Sequence, residues 1–379
     1  MSTPAVPAIP IYQGRDFYVP TYQVKLQGRK PGEEVIRDIQ EVSYKDDLEQ
    51  VDSFEITINN WDADTRSFKY SDQDLFLPGK LVELWMGYHG RDPLRLMIKG
   101  EITALRPNFP ASGQPTLAIS GLNIMHSLRK KQESHSHPKL KDSAIARQIG
   151  GRLGVNIETD PTAEAAEQKY DYLLQHNQYD IVFLMERARR IGYDLFAEES
   201  GTNGNSQPTR LHFKPSVNVK RTVYVLTWGK SLIQFQPTLT TAKQVGSVTV
   251  KAWSTTDKAL IEATATRDSI KTKGVGSKGN EAEIAKAFNE RHEVIVDRPV
   301  HNKQEAETLA KETLERIAKE MVKGSGSTVG LPDLRAGTVI DIERLGRFSG
   351  RYFVTSTTHT IGDGGYTTQF QCRREELQG

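Results

Sequence analysis

The sequence of 379 residues contains a single cysteine, Cys372. One thiol excludes an internal disulfide framework and any zinc site built from several cysteines. No stretch reaches the 18 or more apolar residues of a membrane helix, so no membrane anchor is expected. The first twenty residues also lack the basic and apolar segments of a secretory signal. These absences predict a soluble protein of a reducing compartment.

Excess charge of one sign is also missing, and apolar residues are scarce. The 50 Lys and Arg residues nearly balance the 48 Asp and Glu residues, which gives a formal net charge of +2. This balance argues against a nucleic-acid binder that relies on broad positive charge, and no sequence-specific nucleic-acid partner is expected. Apolar residues make up 37% of the chain, below the usual share for a globular protein. An elongated or multi-lobed molecule with much wetted surface fits this share.

Motifs for catalysis or ligand binding are absent or lack their context. Residues 274–279 match GxGxxG, but polar residues precede them instead of the buried strand that a dinucleotide site needs, so a linker is predicted. His135 and His137 lack two further metal ligands at suitable spacing. No GxSxG, HExxH or GxxxxGK[ST] motif occurs. We therefore predict no catalytic, cofactor-binding or metal-binding residue and no cofactor.

For most of the remaining reactive or charged residues, the sequence predicts a structural role. Cys372 alternates with Phe370 in the last strand pattern and is predicted to be a small buried residue. Three other histidines are predicted to lie at the surface: His176, His292 and His301. Basic groups at 129–131, 187–190 and 373–374 are interpreted as solvated faces or interface salt bridges. Two loop acid pairs keep a glycosidase alternative open: Asp62 with Asp64, and Glu198 with Glu199.

Alternating apolar residues predict a β region from Tyr22 to about Leu128. Phe54, Ile56 and Ile58, for example, are expected to point inward. Five or more short strands separated by Gly and Pro indicate an antiparallel barrel or sandwich. The long polar loop over 59–79 is expected to serve function or an interface.

A polar linker at 129–139 leads to a small α+β module. Helices are predicted from Asp142 or Ser143 to Gly154 and from Asp180 to Ile191, with strands between and after them. Strand patterns resume at 222–253, where Trp228, Leu232 and Phe235 are assigned to a domain core. Helices follow at 281–291 and 303–322, and strands close the chain at 338–342, 350–359 and 365–373.

The chain length predicts two to four domains. The patterns divide it into a β-rich α+β protein with the following parts: an N-terminal arm, 1–20; a first β region, 21–128; an α+β accessory module, 129–215; a second β region, 216–255 with 325–379; and a helical insertion lobe, 256–324.

Four segments carry a resemblance to a known family. They are DIVFLMERARRIGYDLF at 180–196 with LHF at 211–213, WGKSLIQFQPTLTTAKQVGSVTVKAW at 228–253, LPDLRAGTVIDI at 331–342, and GRYFVTSTTHTI at 350–361 with GYTTQFQCRR at 365–374. In order and spacing they resemble the late control gene D family of phage tail proteins. That family includes baseplate hubs of contractile tails and the N-terminal hub region of type VI secretion spike proteins.

The resemblance implies two tail-tube-like antiparallel β-barrels in each chain. It implies a homotrimer whose six barrels form a pseudo-sixfold ring between a sixfold tail tube and a threefold spike. The implied partners are the tube protein, a spike protein and baseplate or wedge proteins. The implied location is the baseplate of a virion or injection particle assembled in the bacterial cytoplasm. Because Gly379 directly follows the last strand, the spike is expected to be a separate polypeptide.

The sequence therefore predicts a structural protein with no enzymatic activity. The runner-up is a peptidoglycan- or carbohydrate-active enzyme of a tail tip that uses the loop acids named above. A carbohydrate-binding multi-barrel adhesin is a third possibility, disfavoured by the lack of exposed aromatic clusters in identifiable loops.

Overall fold

A computed structural model describes most of the chain. It covers residues 9–10, 17, 19–48, 50–90, 93–129, 131–199, 201–202, 205–215, 223–254, 258–270, 281–298, 300 and 302–374. The motif at 274–279, His301 and most of the arm at 1–20 lie outside these ranges. Within them, no helix has the length and apolar character needed to cross a membrane.

The first β region follows the alternation of its sequence. Its elements are β1 Ile9–Pro10, β2 Pro20–Leu26, α1 Glu33–Asp38, β3 Ile39–Asp47, β4 Ser53–Asn59, β5 Trp61–Asp62, β6 Ser67–Phe68, β7 Leu81–Tyr88, β8 Arg95–Asn108, β9 Thr116–Asn123 and α2 Ile124–Ser127. Antiparallel pairing joins β2, β7, β8, β9, β4 and β3 in that order. Phe54, Ile56 and Ile58 are at most 2% exposed in the core, so the predicted inward face is confirmed.

A buried asparagine organises the long loop after β4. Asn60 is fully buried, and its side-chain oxygen accepts the backbone N–H groups of Tyr70 at 2.9 Å and Ser71 at 3.1 Å. The main-chain N–H of Asn60 donates to Pro115 O at 2.9 Å. These bonds replace strand pairing and fix the loop that contains the ladder of β5 and β6.

The accessory module contains β10 Gln132–Ser136, α3 Asp142–Leu153, β11 Asn156–Thr159, α4 Pro161–Ala166, β12 Leu174–Tyr179, α5 Asp180–Arg190, β13 Tyr193–Glu198, β14 Gly201–Thr202, β15 Asn205–Ser206 and β16 Arg210–Pro215. As predicted, Gly154 ends α3 in the left-handed conformation, with φ of 72°. The expectation of a plain linker at 129–139 is wrong, because β10 pairs with β12 there. This segment is short and polar, so it lacks the alternation of apolar and polar residues that would predict a strand.

The last part of the chain holds a second β region and a lobe. Its elements are β17 Val223–Thr227, β18 Leu232–Leu239, β19 Ser247–Ser254, β20 Ala259–Thr266, α6 Glu281–Lys286, β21 His292–Ile295, α7 Lys303–Lys319, β22 Val322–Val329, β23 Val339–Glu343, β24 Gly350–Gly362 and β25 Gly365–Arg374. We expected β19 to belong to the second β region. It pairs instead with β20 and β21, and this small sheet packs on α7.

One strand joins the two β regions into a single sheet. The first part of β24 pairs with β23, whereas residues from Ser356 to Ile361 pair with β3 of the first region. β25 follows β24 along most of its length, and β22 and β18 continue the sheet beyond it. Each β region keeps its own apolar core. The prediction of a β-rich α+β fold is confirmed.

Gly121 in β9 provides a test of the first core. A Cβ built there would lie 2.3 Å from the Phe54 ring and 2.4 Å from Glu101 O. We expect Gly121→Ala to lower the free energy of unfolding by roughly 1–3 kcal/mol, because the ring and the backbone would both have to shift.

The control is Gly151→Ala in α3, where nothing lies within 4 Å of the added methyl group. It should be neutral or stabilising by roughly 0.5–1 kcal/mol. Denaturant unfolding of both variants measures the difference, and equal stabilities would contradict the packing described.

Candidate functional site: the junction between the two β regions

The loop that connects β22 to β23 lies between the two β regions. Leu331 and Leu334 of this loop are fully buried in the core of the second region. Gly330 N donates to Tyr366 O at 2.9 Å, and Gly330 O accepts the Tyr88 hydroxyl from the first region at 3.0 Å. The loop therefore contacts both cores within a few residues.

Arg335 of this loop points into the first β region. Its guanidinium donates to Leu96 O at 2.8 Å, to Met97 O at 3.1 Å and to Pro332 O at 3.0 Å. The guanidinium also lies 4.6 Å from the centre of the Tyr44 ring. A buried cation is costly unless its donors are satisfied, and here backbone carbonyls and an aromatic face satisfy them.

Carboxylates surround the same loop. The Asp46 side chain at the end of β3 accepts the Ala336 N–H at 2.9 Å. Asp52 accepts the side-chain amide of Asn123 at 2.8 Å and the backbone N–H of Asp47 at 3.2 Å. Burial raises the pKa of Asp52 well above its ordinary value, and the nearby charge of Asp46 raises it further.

A buried histidine braces the loop from the β24 side. His359 Nε2 lies 3.0 Å from Leu334 O, which only accepts, so this nitrogen carries the proton. His359 Nδ1 then accepts from the hydroxyls of Tyr366 at 3.0 Å and Thr368 at 3.1 Å. Burial lowers the pKa of His359 well below its usual value, and the charge of Arg335 adds to this. The imidazole is therefore neutral at pH 7.

The accessory module docks at the same place. Phe196 of β13 packs with Leu48, Ala336 and Phe353 in a small apolar cluster shared by three parts of the chain. β14 pairs with β8 through Thr202 and Arg95. Gly201 fits there only without a side chain, since an added Cβ would lie 2.8 Å from the Trp85 ring. The junction thus unites both β regions and the module.

The acidic residues that kept the glycosidase alternative open form hydrogen bonds with nearby groups of the chain. The Asp62 carboxylate accepts the backbone N–H groups of Asp64 at 2.9 Å and Thr65 at 3.3 Å, which makes it a turn residue. Glu198 contacts His212 at 2.5 Å.

Glu199 lies near the junction and accepts the Thr209 hydroxyl at 2.9 and 3.0 Å. Burial raises the pKa of Glu199 to about 7. The charges of Arg335 and Lys99 oppose that rise.

The structure describes four of the histidines discussed above and shows the neighbours or the exposure of each. His135 contacts Glu133 at 2.5 Å, and His137 is buried and stacked on Phe183. His176 and His292 are exposed. Cys372 is 2% exposed in β25, as predicted, and burial raises the pKa of its thiol.

Two expectations about side-chain exposure are wrong. Arg187 is buried instead of solvated, because α5 presents it to Asp142, whose carboxylate accepts its Nε at 2.6 Å and Nη2 at 3.1 Å. Trp228 is 45% exposed, although Leu232 is buried in the second core as expected. Trp228 follows β17 at a turn, where its ring does not reach the core.

Sequence reasoning did not single out Arg335 or His359. The available signals were a lone arginine within the apolar segment 331–342 and a histidine at an inward position of a strand that also carries Ile361. Their partners come from strands distant in sequence, so their roles appear only in the folded chain.

Comparison with solved structures identifies a class of fold. A 43 kDa tail protein of prophage MuSo2 from Shewanella oneidensis superposes with a TM-score of 0.69 at 14% identity, covering 94% of this chain and 98% of that protein. A tail protein from Neisseria meningitidis MC58 superposes with a TM-score of 0.66 at 12% identity, covering 95% and 98%. This chain has the fold of these tail proteins.

A component of the type VI secretion system of E. coli is also similar, with a TM-score of 0.56 at 10% identity, covering 94% of this chain and 79% of that protein. That component is described as structurally similar to the T4 bacteriophage tail proteins gp27 and gp5. No curated protein sequence matches this chain. At the level of sequence families, the chain belongs to the Alg8 N-terminal domain family, whose model matches residues 18–363.

Replacing Arg335 by methionine tests the junction. The substitution removes the guanidinium donors to Leu96 O and Met97 O and leaves nearby buried carboxylates without their cation. We expect a loss of about 3 kcal/mol or more in the free energy of unfolding. Arg37→Met, at an exposed position of α1, should change it by no more than about 0.5 kcal/mol. Comparable losses in the two variants would contradict a bracing role.

Protonation of His359 gives a pH test. The unfolded chain takes up this proton near pH 6.5, and the folded chain does so only at lower pH. Stability from this group is therefore complete above about pH 6.5 and falls below it, by up to about 1.4 kcal/mol per pH unit.

His359→Gln should be less stable at pH 7.5 yet lose less stability than the wild type between pH 6.5 and 5. Thermal unfolding across that range measures both slopes. Parallel slopes would show that His359 does not carry the acid sensitivity.

Proposed function

We propose that this chain is the structural hub of a contractile phage tail or of a phage-tail-like injection particle, and that it is a member of the late control gene D family. Three copies form a ring of six tube-like β regions, which adapts a sixfold tail tube to a threefold spike. The chain performs assembly and no catalytic step. Its partners are two further copies, the tube protein, a spike protein and baseplate or wedge proteins.

The observation that carries this proposal is the fold likeness to a prophage tail protein along nearly the whole of both chains. The fusion of two β regions through β24 also supports it, because two linked units per chain give six around a threefold axis. The boundaries predicted for the five parts remain part of the proposal, apart from the reassignment of β19.

Open sheet edges supply a means of assembly. Among the described strands, β2 pairs only with β7, and β18 pairs only with β22. Unpaired edge strands are places where another chain can add to a sheet. A closed threefold ring would use such edges and stop growth, whereas an open arrangement would continue into filaments.

The outward face of the second region suits a channel wall. Gln236, Ser325 and Gln371 lie side by side across β18, β22 and β25. Gln234, Ser327 and Gln369 form the next row. These two rows are polar and uncharged, so a charged cargo or nucleic acid would pass them without strong attraction. The adjoining row of the same face is basic, with Lys323 beside Arg373. A wetted inner wall also accounts for part of the low apolar share of the sequence.

The opposite side of these strands explains their register. An added Cβ at Gly324 would lie 2.5 Å from the Phe235 ring, and one at Gly326 would lie 2.6 Å from the Phe370 ring. The aromatic rings thus lie directly on the β22 backbone. Ser325 and Ser327, which alternate with these glycines, are consequently fixed on the outward face.

Light scattering of the purified chain tests the oligomer. We expect a trimer of roughly three times 42.5 kDa for the chain alone, or three copies of the chain in a heavier complex with its tube or spike protein. Negative-stain images of the complex should show a ring with threefold symmetry on the particle axis. A chain that stays monomeric and binds neither protein would overturn the proposal.

A further inference from the structure

A wide cleft separates the accessory module from the lobe helix. It has a volume of about 1280 Å³ and lies between β12 and α5 on one side and α7 on the other. Arg190 of α5 and Glu305 of α7 pair at 2.7 Å and join the two sides. The volume exceeds the range of about 300–1,000 Å³ typical of small-molecule sites, so a polypeptide segment fits the module–helix cleft better.

The lining of the module–helix cleft combines apolar side chains with an excess of positive charge. Tyr172 and Leu174 are 58% and 50% exposed there. Among the described lining residues, nine are Lys or Arg and six are Asp or Glu. Lys243, Arg298 and Arg316 are exposed members of the basic set. The cleft therefore favours an occupant that is both apolar and acidic.

The long loop of the first β region has those properties. Trp61 and Phe68 pack edge to face with ring centres 5.6 Å apart, and Phe68 and Phe109 pack likewise at 5.0 Å. Phe68 is 38% exposed and Phe109 is 58% exposed. The sequence indicated no exposed aromatic cluster in its loops, and this cluster corrects that expectation. We call these three residues the aromatic knob. Because rings packed on one another move little, the knob presents a preformed apolar surface.

The charge around the aromatic knob is opposite to that of the module–helix cleft. Residues 59–79 contain four aspartates against one arginine and one lysine. Asp64, Asp72 and Asp74 are exposed. The single lysine, Lys69, is already bound by Asp38 at 2.9 Å and Glu34 at 3.4 Å, which adds further negative charge to this part of the first β region.

We infer that the aromatic knob of one copy docks in the module–helix cleft of the next copy. The inference rests on the proposed trimeric hub and names the surfaces that would join its subunits. Knob and cleft are different surfaces of the same chain, so the contact is head to tail. Such contacts close into a ring when the rotation between copies is a fraction of a full turn.

Cross-linking between two tagged forms of the full chain tests this contact. One form carries Asp64→Cys beside the knob, and the other carries Leu174→Cys in the cleft. The native Cys372 is buried and does not compete for a short bis-maleimide reagent. We expect a covalent dimer that contains one copy of each form. Lys311→Cys, on α7 but outside the cleft lining, replaces Leu174→Cys as the control and should give no such dimer.

Charge reversal provides a second measurement. Asp64→Lys with Asp72→Lys places positive charge on the knob loop, and Arg298→Glu with Arg316→Glu places negative charge in the cleft. Because like charges then face each other, each double variant alone should weaken self-association by about tenfold or more. Combining all four changes should restore it. Lys303→Glu with Lys311→Glu, on exposed positions of α7, should have little effect.

The outcomes separate this inference from the proposed function. Trimers in sedimentation without the knob–cleft cross-link and without charge-swap rescue would overturn the inference and leave the hub intact. A chain that stays monomeric with its tube and spike proteins would overturn both. Cross-linking together with rescue would establish the contact.

Discussion

The hydrogen bonds of β24 hold this molecule together. Its early residues pair with β23 and complete the second β region, and its late residues pair with β3 and extend the first. Because backbone bonds on one continuous strand connect both cores, the two β regions cannot rotate independently without breaking a ladder. The positions of the junction loop, the accessory module and the outward polar face all follow from this shared strand.

Burying polar groups at such a junction requires that each has a partner. Arg335 meets three backbone carbonyls and an aromatic ring, and His359 has partners on both ring nitrogens. Apolar packing alone would tolerate several relative placements of two sheets. Directional bonds across the junction favour one placement, because any other would leave buried donors unsatisfied.

Local sequence patterns predicted most helices and strands correctly, but they did not predict which of these elements contact one another. The alternation of Phe54, Ile56 and Ile58 and the glycine after α3 predicted the observed structure, because each signal lies within a few residues. The pairing of β10 with β12 and the placement of β19 depend on contacts that no local pattern encodes. The same holds for Arg187, whose charge suggested a solvated face until Asp142 is brought beside it. Residues of the candidate site belong to this second kind.

The pairing of β24 with β3 also has a consequence for how the chain is made. Asp47 and Ser356 are ladder partners, yet more than three hundred residues separate them in the sequence. Contacts of such long range slow folding, since the ends of a large loop must meet before the ladder can form. During synthesis the first β region emerges long before the strand that extends its sheet. The edge of β3 stays unpaired with β24 until residues 356–361 have been made, so a shorter nascent chain lacks the finished sheet.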